Sequence, residues 1–86
     1  MIEIIVNSRS KNSLVELEKI EHDLKRKKQE YKVLKTSKNK NARDLMNEIR
    51  GDELIVIGGD GTINEVINNY HGKEFIYLAY GSGNDL

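Results

Sequence analysis

Residues 57–66 read IGGDGTINEV and place three glycines, Gly58, Gly59 and Gly61, around one acid, Asp60. Glycine lets the backbone take positive φ angles, and it lets backbone N–H groups approach an oxyanion because no side chain intervenes. The helix-like run that follows adds unpaired N–H donors and a partial positive charge at its start. The segment therefore predicts an anion-binding turn, with phosphate as the favoured ligand.

Two common phosphate-binding motifs do not fit this segment. A Walker A loop needs a lysine directly after its second glycine, and no such lysine is present. A dinucleotide-binding motif needs a third glycine three residues after the second, where this chain has Asn64. A carboxylate is a poor neighbour for bare phosphate, so Asp60 fits better with Mg²⁺ between it and the phosphates, or with a ribose hydroxyl as its hydrogen-bond partner.

A purely structural interpretation of the same residues stays open. The glycines could form only a tight turn, and Asp60 could be a local turn or N-cap residue. Thr62 and Glu65 have the spacing of a capping box, in which they would begin the following helix. Capping does not exclude contact with a ligand, so the structural and the ligand-binding interpretations are compatible.

Strand-like and helix-like segments alternate along the chain and must position these residues. The predicted strands are Ile2–Val6, Tyr31–Lys35, Glu53–Gly58 and Phe75–Tyr80, and the predicted helices cover about 11–30, 41–50 and 62–70. Gly51 is the predicted C-terminal cap of the second helix. Because strands that alternate with helices need crossover connections, the order βαβαβαβ predicts an α/β fold of three layers, with helices on both faces of a parallel sheet.

Polar residues follow each predicted strand at the edge where open parallel sheets bind ligands. The segment NSRSK follows the first strand, Thr36 the second, GGDGT the third and GSGND the fourth. The convergence of four strand ends predicts one ligand site at this rim of the sheet.

The composition limits the classes of function. The chain has 86 residues, enough for one small domain, and no cysteine, which excludes disulfides and thiolate sites and fits a reducing compartment. No apolar run approaches the ~20 residues of a membrane-spanning helix, and the N-terminus lacks a signal-peptide pattern, so we expect a cytoplasmic domain. The net charge of zero argues against a general nucleic-acid binder.

Basic residues concentrate between Lys25 and Arg43, where nine of them accompany one acid, Glu30. Charge runs are usually solvated, and this stretch then forms a helix end and a loop. Alternatively, it attracts anionic lipid head groups or phosphates, which would bring the protein into peripheral contact with a membrane. The sequence leaves both interpretations open.

The segment GGDGTINEV, followed by GSGNDL at 81–86, resembles the catalytic domain of diacylglycerol kinases and related lipid kinases, including sphingosine kinase-like enzymes. The resemblance runs the length of the chain and covers the first part of the family's catalytic region. The GGDGT element is shared with NAD kinases and more loosely with phosphofructokinases, whereas NEV and Gly-x-Gly-Asn-Asp favour a lipid kinase. The resemblance implies ATP and Mg²⁺ as cofactors and transfer of the γ-phosphate to a lipid hydroxyl.

The resemblance also implies an ATP site at matching positions of this chain. These are Asn7, Ser8, Arg9, Ser10, Lys11, Thr36, Gly59, Asp60, Gly61, Thr62, Ile63, Asn64, Glu65 and Ser82. Asp60 matches the acid that the family needs for nucleotide and Mg²⁺ and is the catalytic candidate. Asn84 and Asp85 match an Asn-Asp pair that we interpret as shaping the cleft between domains.

The chain departs from the family in its first loop, which usually reads Asn-Pro-x-Ser-Gly. Ser8 replaces the proline and Lys11 replaces the glycine. Lysine takes positive φ only at a cost, although its charge could meet a phosphate. Ser82 stands where the family has threonine and keeps the hydroxyl.

In the family, the lipid site and the catalytic base lie on a second, β-rich domain downstream, which residues 1–86 do not include. We therefore expect a partial nucleotide-binding domain that does not phosphorylate lipid alone. An unprotected face or edge of its sheet should lead to self-association. Two alternatives stay open: a fragment of an NAD kinase-like enzyme, which GSGNDL argues against, and a non-catalytic nucleotide-binding module.

Overall fold

The computed structural model of the chain describes residues 1–50 and 53–68 and the backbone of residues 75–80. In chain order the elements are β1 (Ile2–Val6), α1 (Lys11–Arg26), β2 (Tyr31–Lys35), α2 (Ala42–Met46), β3 (Glu53–Gly58), α3 (Asp60–Asn68) and β4 (Phe75–Tyr80). The strands form a parallel sheet in the order β2-β1-β3-β4. The predicted order of elements and the bounds of the four predicted strands are confirmed.

Two apolar cores cover the two faces of the sheet. On one face, α1 packs Leu17 and Leu24 against Ile4, Val6 and Ile57. On the other face, α2 and α3 complete a core that contains Ile5, Leu34, Ala42, Leu45, Met46, Ile49, Leu54, Val56, Ile63 and Val66. The predicted three-layer arrangement is therefore confirmed.

The strand order creates a switch point between β1 and β3. From β1 the chain passes through α1 to β2, and from β2 it returns through α2 to β3, on the other side of β1. The elements that follow β1 and β3, α1 and α3, pack on opposite faces of the sheet. Such a point opens a crevice at the carboxyl ends of the two strands, where ligands of these folds bind.

One carboxylate is buried with the core. Glu3 of β1 is only 4% exposed, and its two oxygens accept hydrogen bonds from the backbone N–H of Arg50 at 3.0 and 3.1 Å. A buried carboxylate is costly unless it is hydrogen-bonded. The contact ties the segment after α2 to the central strand, below the rim.

Helix α1 ends at Arg26, earlier than predicted. The N–H of Lys28 donates to the carbonyl of Lys25 at 3.0 Å, and that of Gln29 to the carbonyl of Leu24 at 2.9 Å. These two bonds form a Schellman motif. Lys28 takes the left-handed backbone conformation, with φ of 57°, at the position where glycine is usual. No glycine or proline marks this stop, so residue types alone do not predict it.

Helix α2 is also shorter than predicted and ends at Met46. Asn41 caps it in a capping box, with Asp44 N–H donating to Asn41 Oδ1 at 2.9 Å and Asn41 N–H to Asp44 Oδ2 at 3.1 Å. Ile49 follows the helix yet is buried. The predicted cap Gly51 lies outside the described residues.

The two edges of the sheet are β2 and β4. Lys32 and Lys35 are exposed on β2, and edge lysines disfavour pairing with a strand of another molecule. Self-association remains a prediction, and β4 is the edge on which to look for it. Within the described part of the chain, every helix is too short or too polar to cross a membrane.

Replacing Lys28 by glycine should raise the free energy of unfolding by about 1 kcal/mol, because glycine takes the left-handed conformation without a Cβ clash. Lys27, whose φ is −87°, is the matched control. Lys27→Gly should lower the free energy of unfolding by up to about 1 kcal/mol. Urea denaturation measures both changes, and a Lys28→Gly protein that is no more stable than the parent would contradict the assigned strain.

Candidate functional site

The carboxyl ends of β1, β2 and β3 lie at one level of the sheet. Val6 pairs with Lys35 of β2 and with Ile57 of β3. The ladder continues one step further, with Thr36 N–H donating to the Val6 carbonyl and Asn7 N–H to the Ile57 carbonyl, both at 3.0 Å. The loops that follow these strands therefore start side by side, as the sequence predicted.

Hydrogen bonds among Asn7, Ser8 and Thr36 join the first two loops. Ser8 N–H donates to Thr36 Oγ1 at 3.2 Å, and the Ser8 hydroxyl donates to the Thr36 carbonyl oxygen. The Thr36 hydroxyl donates to Asn7 Oδ1 at 3.5 Å, and Arg9 N–H donates to the same oxygen at 3.0 Å. Three predicted binding residues are thus brought together, and their polar atoms hold the loops to each other.

The start of α1 places the next two predicted residues. Ser10 is the N-cap, and its Oγ accepts a hydrogen bond from Ser13 N–H at 3.1 Å. Lys11 is the first helical residue. Among the described non-glycine residues only Lys28 has a positive φ, so Lys11 does not incur the backbone cost expected for the replacement of a glycine.

Helix α3 begins directly after Gly59, at Asp60. Ile63 N–H donates to the Gly59 carbonyl at 3.1 Å, so Thr62 lies inside the first turn. The capping-box interpretation, in which Thr62 begins the helix with Glu65 three residues later, is therefore wrong. The N–H groups of the first turn have no partner within the helix, and the helix dipole makes this end attractive to anions.

The three glycines of this corner differ in what a side chain would meet. A Cβ at Gly58 would lie 2.7 Å from Thr62 Cβ, whereas a Cβ at Gly59 or Gly61 would meet nothing within 4 Å. None of the three has a positive φ, so left-handed backbone is not the reason for glycine here. The other predicted use of glycine fits, because the bare backbone at positions 59 and 61 faces open space.

A polar cleft of about 270 Å³ lies where the loops meet. Its described lining residues are Asn7, Arg9, Thr36, Ser37, Lys38, Asn41, Ala42, Thr62 and Glu65. Arg9 and Lys38 bring two positive charges and Glu65 one negative charge, so the charged side chains that line the cleft are cationic on balance. Groups from the loops after β1 and β2 and from α3 converge here, as in a binding site.

Five of the predicted binding residues line the cleft: Asn7, Arg9, Thr36, Thr62 and Glu65. Asp60 and Asn64 are exposed on α3, but their side chains are not among those that line it. Ile63 is 2% exposed and packs into the core, so only its backbone is left for a ligand. Ser82, Asn84 and Asp85 lie outside the described residues.

Sequence reasoning missed the contribution of the β2–α2 loop beyond Thr36. Ser37, Lys38 and Asn41 line the cleft, but the segment TSKNK matches no binding motif. The one available signal was the basic stretch 25–43, which includes Lys38. Two other depressions, of about 510 and 500 Å³, are lined in the described part of the chain by α1 alone and lack such convergence.

Fold and site together define an α/β domain with a cationic, polar cleft beside a glycine corner at the switch point of a parallel sheet. The family model described as the diacylglycerol kinase catalytic domain matches residues 2–86. The chain therefore belongs to the diacylglycerol kinase catalytic-domain family, and the resemblance carried by GGDGTINEV and GSGNDL is confirmed. No curated protein and no solved structure matched the chain.

Alanine at Gly58 should lower the free energy of unfolding by about 1–3 kcal/mol, because its Cβ would overlap Thr62 and displace the start of α3. Gly61→Ala is the control, since the added methyl meets open space. It should leave the free energy of unfolding unchanged or raise it by up to about 1 kcal/mol, the helix propensity difference. Urea denaturation that gave the two variants equal stability would contradict this distinction.

Thr36→Val keeps the size of the side chain and removes the hydroxyl that accepts from Ser8 N–H. The free energy of unfolding should fall by about 1–3 kcal/mol, the cost of leaving a part-buried donor unpaired. Thr36→Ser retains the hydroxyl and should lose less. Hydrogen exchange at Ser8 N–H should be faster in the valine variant, and unchanged exchange there would show that the link between the loops is not formed by this hydroxyl.

Proposed function

We propose that the chain is the ATP-binding part of an ATP- and Mg²⁺-dependent lipid kinase of the diacylglycerol kinase type. The observation that carries the proposal is the corner at Gly59–Gly61, where bare backbone and the start of α3 adjoin a cationic cleft at the switch point. The chain's membership of the diacylglycerol kinase catalytic-domain family supports the same interpretation. Helix N-termini that follow glycine-rich turns are suited to phosphate because their N–H groups and dipole favour anions.

Residues of separate loops would share the nucleotide. The first-turn N–H groups of α3 would donate to phosphate oxygens. The guanidinium of Arg9 would add a planar pair of donors that matches phosphate geometry. Asn7, Ser8 and Thr36 would hold the loops in place, with their hydrogen-bonding groups largely used within the protein.

Among the residues that the structure describes, Asp60 is the one that we propose for Mg²⁺. In residues 1–50 and 53–68 no group of three or more His, Cys, Asp or Glu side chains could hold a metal by itself. Mg²⁺ in phosphoryl-transfer sites is usually held by one or two carboxylates together with the phosphates of the substrate. Asp60 lies in the first turn of α3, beside the open space at Gly59 and Gly61, and would meet a metal that arrives with the nucleotide. The metal would neutralise charge on the phosphates.

The reaction would be transfer of the γ-phosphoryl group of ATP to a lipid hydroxyl. Positioning and charge neutralisation supply most of the catalysis in such transfers. The residues described here would bind and orient the phosphate chain. We further propose that the lipid pocket and the base that accepts the hydroxyl proton belong to a domain outside residues 1–86, so that this chain alone binds nucleotide without phosphorylating lipid.

The family match favours a lipid kinase over an NAD kinase. It extends through residue 86 and thus includes the segment GSGNDL, which the resemblance associates with lipid kinases. A non-catalytic module that never had a lipid-binding domain would bind nucleotide in the same way and would give no lipid phosphorylation.

Calorimetric titration of the chain with MgATP should show saturable binding, and Asp60→Asn should weaken it at least tenfold, about 1.4 kcal/mol. Glu18→Gln is the control, because Glu18 is an exposed acid on α1 and its replacement changes the net charge equally. With EDTA in place of Mg²⁺ the difference between parent and Asp60→Asn should shrink, since Asp60 would act through the metal.

Two results would contradict the proposal. One is the absence of saturable binding by a folded parent protein, established by its cooperative unfolding in urea. The other is an Asp60→Asn variant that binds MgATP as well as Glu18→Gln does.

A further inference from the structure

The β2–α2 loop carries two lysines, Lys38 and Lys40, and only Lys38 lines the cleft. Ser37 N–H donates to the Lys40 carbonyl at 2.7 Å, and Lys40 N–H donates to Ser37 Oγ at 3.1 Å. This closed turn has Lys38 near its tip, and Lys38 lines the cleft. The Lys40 side chain instead forms an ion pair with Glu48. The hydrogen bond between them raises the pKa of Lys40 above its ordinary value.

Lys38 has no ion-pair partner among the residues that the structure describes. The lysines in the ion pairs there are Lys27, with Asp23, and Lys40, with Glu48. In the cleft, Lys38 and Arg9 come from loops after different strands, and Glu65 is the acid that also lines it. Two cations that approach one polar space favour a ligand with more than one negative charge.

We propose that Lys38 binds the phosphate chain of the nucleotide, an inference that rests on the proposed function. The start of α3 holds one phosphate, and Arg9 and Lys38 hold the others. Because these groups come from three different elements, a ligand must carry several linked phosphates to reach them together. The site therefore selects nucleoside di- and triphosphates over monophosphates, and Lys38 contributes to that selection.

The test compares the parent chain, Lys38→Gln and Lys40→Gln by calorimetric titration. Both variants lose one positive charge from the same turn, so the net charge changes equally. Lys40→Gln also breaks the surface ion pair with Glu48, whereas Lys38→Gln removes the proposed contact with the ligand. The ligands are MgATP, MgADP, AMP and inorganic triphosphate with Mg²⁺. We expect Lys38→Gln to weaken binding of MgATP, MgADP and triphosphate about tenfold, as for the loss of a charge-assisted contact. AMP binding should change less than threefold, and Lys40→Gln should stay within twofold of the parent for every ligand.

Equal affinities of Lys38→Gln and Lys40→Gln for MgATP would overturn the role of Lys38 and leave the proposed nucleotide function standing. Triphosphate binding that depends on Lys38, without binding of MgATP, would support the phosphate contact and reject the nucleotide function. If the folded parent bound neither ligand, both proposals would fail. An equal loss of AMP and MgATP affinity in Lys38→Gln would also overturn the inference, because it would place the lysine away from the outer phosphates.

Discussion

Parallel pairing of β1 with β2 on one side and β3 on the other is the constraint on which the rest of the structure depends. Ile2 pairs with both Tyr31 and Glu53, so the three strands start in step and end in step. Their loops then begin at one height. Since α1 and α3 leave toward opposite faces, the rim opens between them. The strand order and the opposite directions of α1 and α3 therefore determine where the cleft lies.

The residues at the rim divide into those that hold the loops and those left for a ligand. Asn7, Ser8 and Thr36 hydrogen-bond to one another across two loops. Arg9 and Lys38 instead bring positive charge to the cleft, and in the proposed function they would bind the ligand together with the first turn of α3. Ordering the first set in the free protein means that a ligand need not order the loops on binding, which favours affinity.

The sequence was informative where a local rule decides the structure and uninformative where a tertiary contact does. Strand-like runs predicted the strands, and the glycines marked the corner. The reason given for glycine was partly wrong, because its φ angles are ordinary and Gly58 instead makes room for Thr62. Thr62 matched the N-cap position of a capping box, yet the helix begins at Asp60. Gly59, just after the strand, therefore precedes the helix about one turn before Thr62. The stop of α1 at a left-handed Lys28 has no signature in residue type.

The sequence also could not predict the roles of residues whose contacts are made by distant parts of the chain. Glu3 stands in a strand where an acid usually faces solvent, and only the packing of the segment after α2 shows that its carboxylate is buried and paired with Arg50 N–H. Lys38 and Lys40 are indistinguishable in the segment TSKNK. The turn between Ser37 and Lys40 decides which of the two faces the cleft.

The altered first loop shows how a departure from the family pattern is compensated by contacts. Proline at position 8 would restrict the unfolded chain, an effect of roughly 0.4–1 kcal/mol. Ser8 lacks that restriction but makes two hydrogen bonds to Thr36 that proline cannot make, each contributing roughly 0.5–1.5 kcal/mol. The exchange therefore does not weaken the loop. It changes the source of its order from local stiffness to a link with the β2–α2 loop. That link ties the loop that carries Lys38 to the loop that carries Arg9, so the two cations of the cleft come from loops that are hydrogen-bonded to each other.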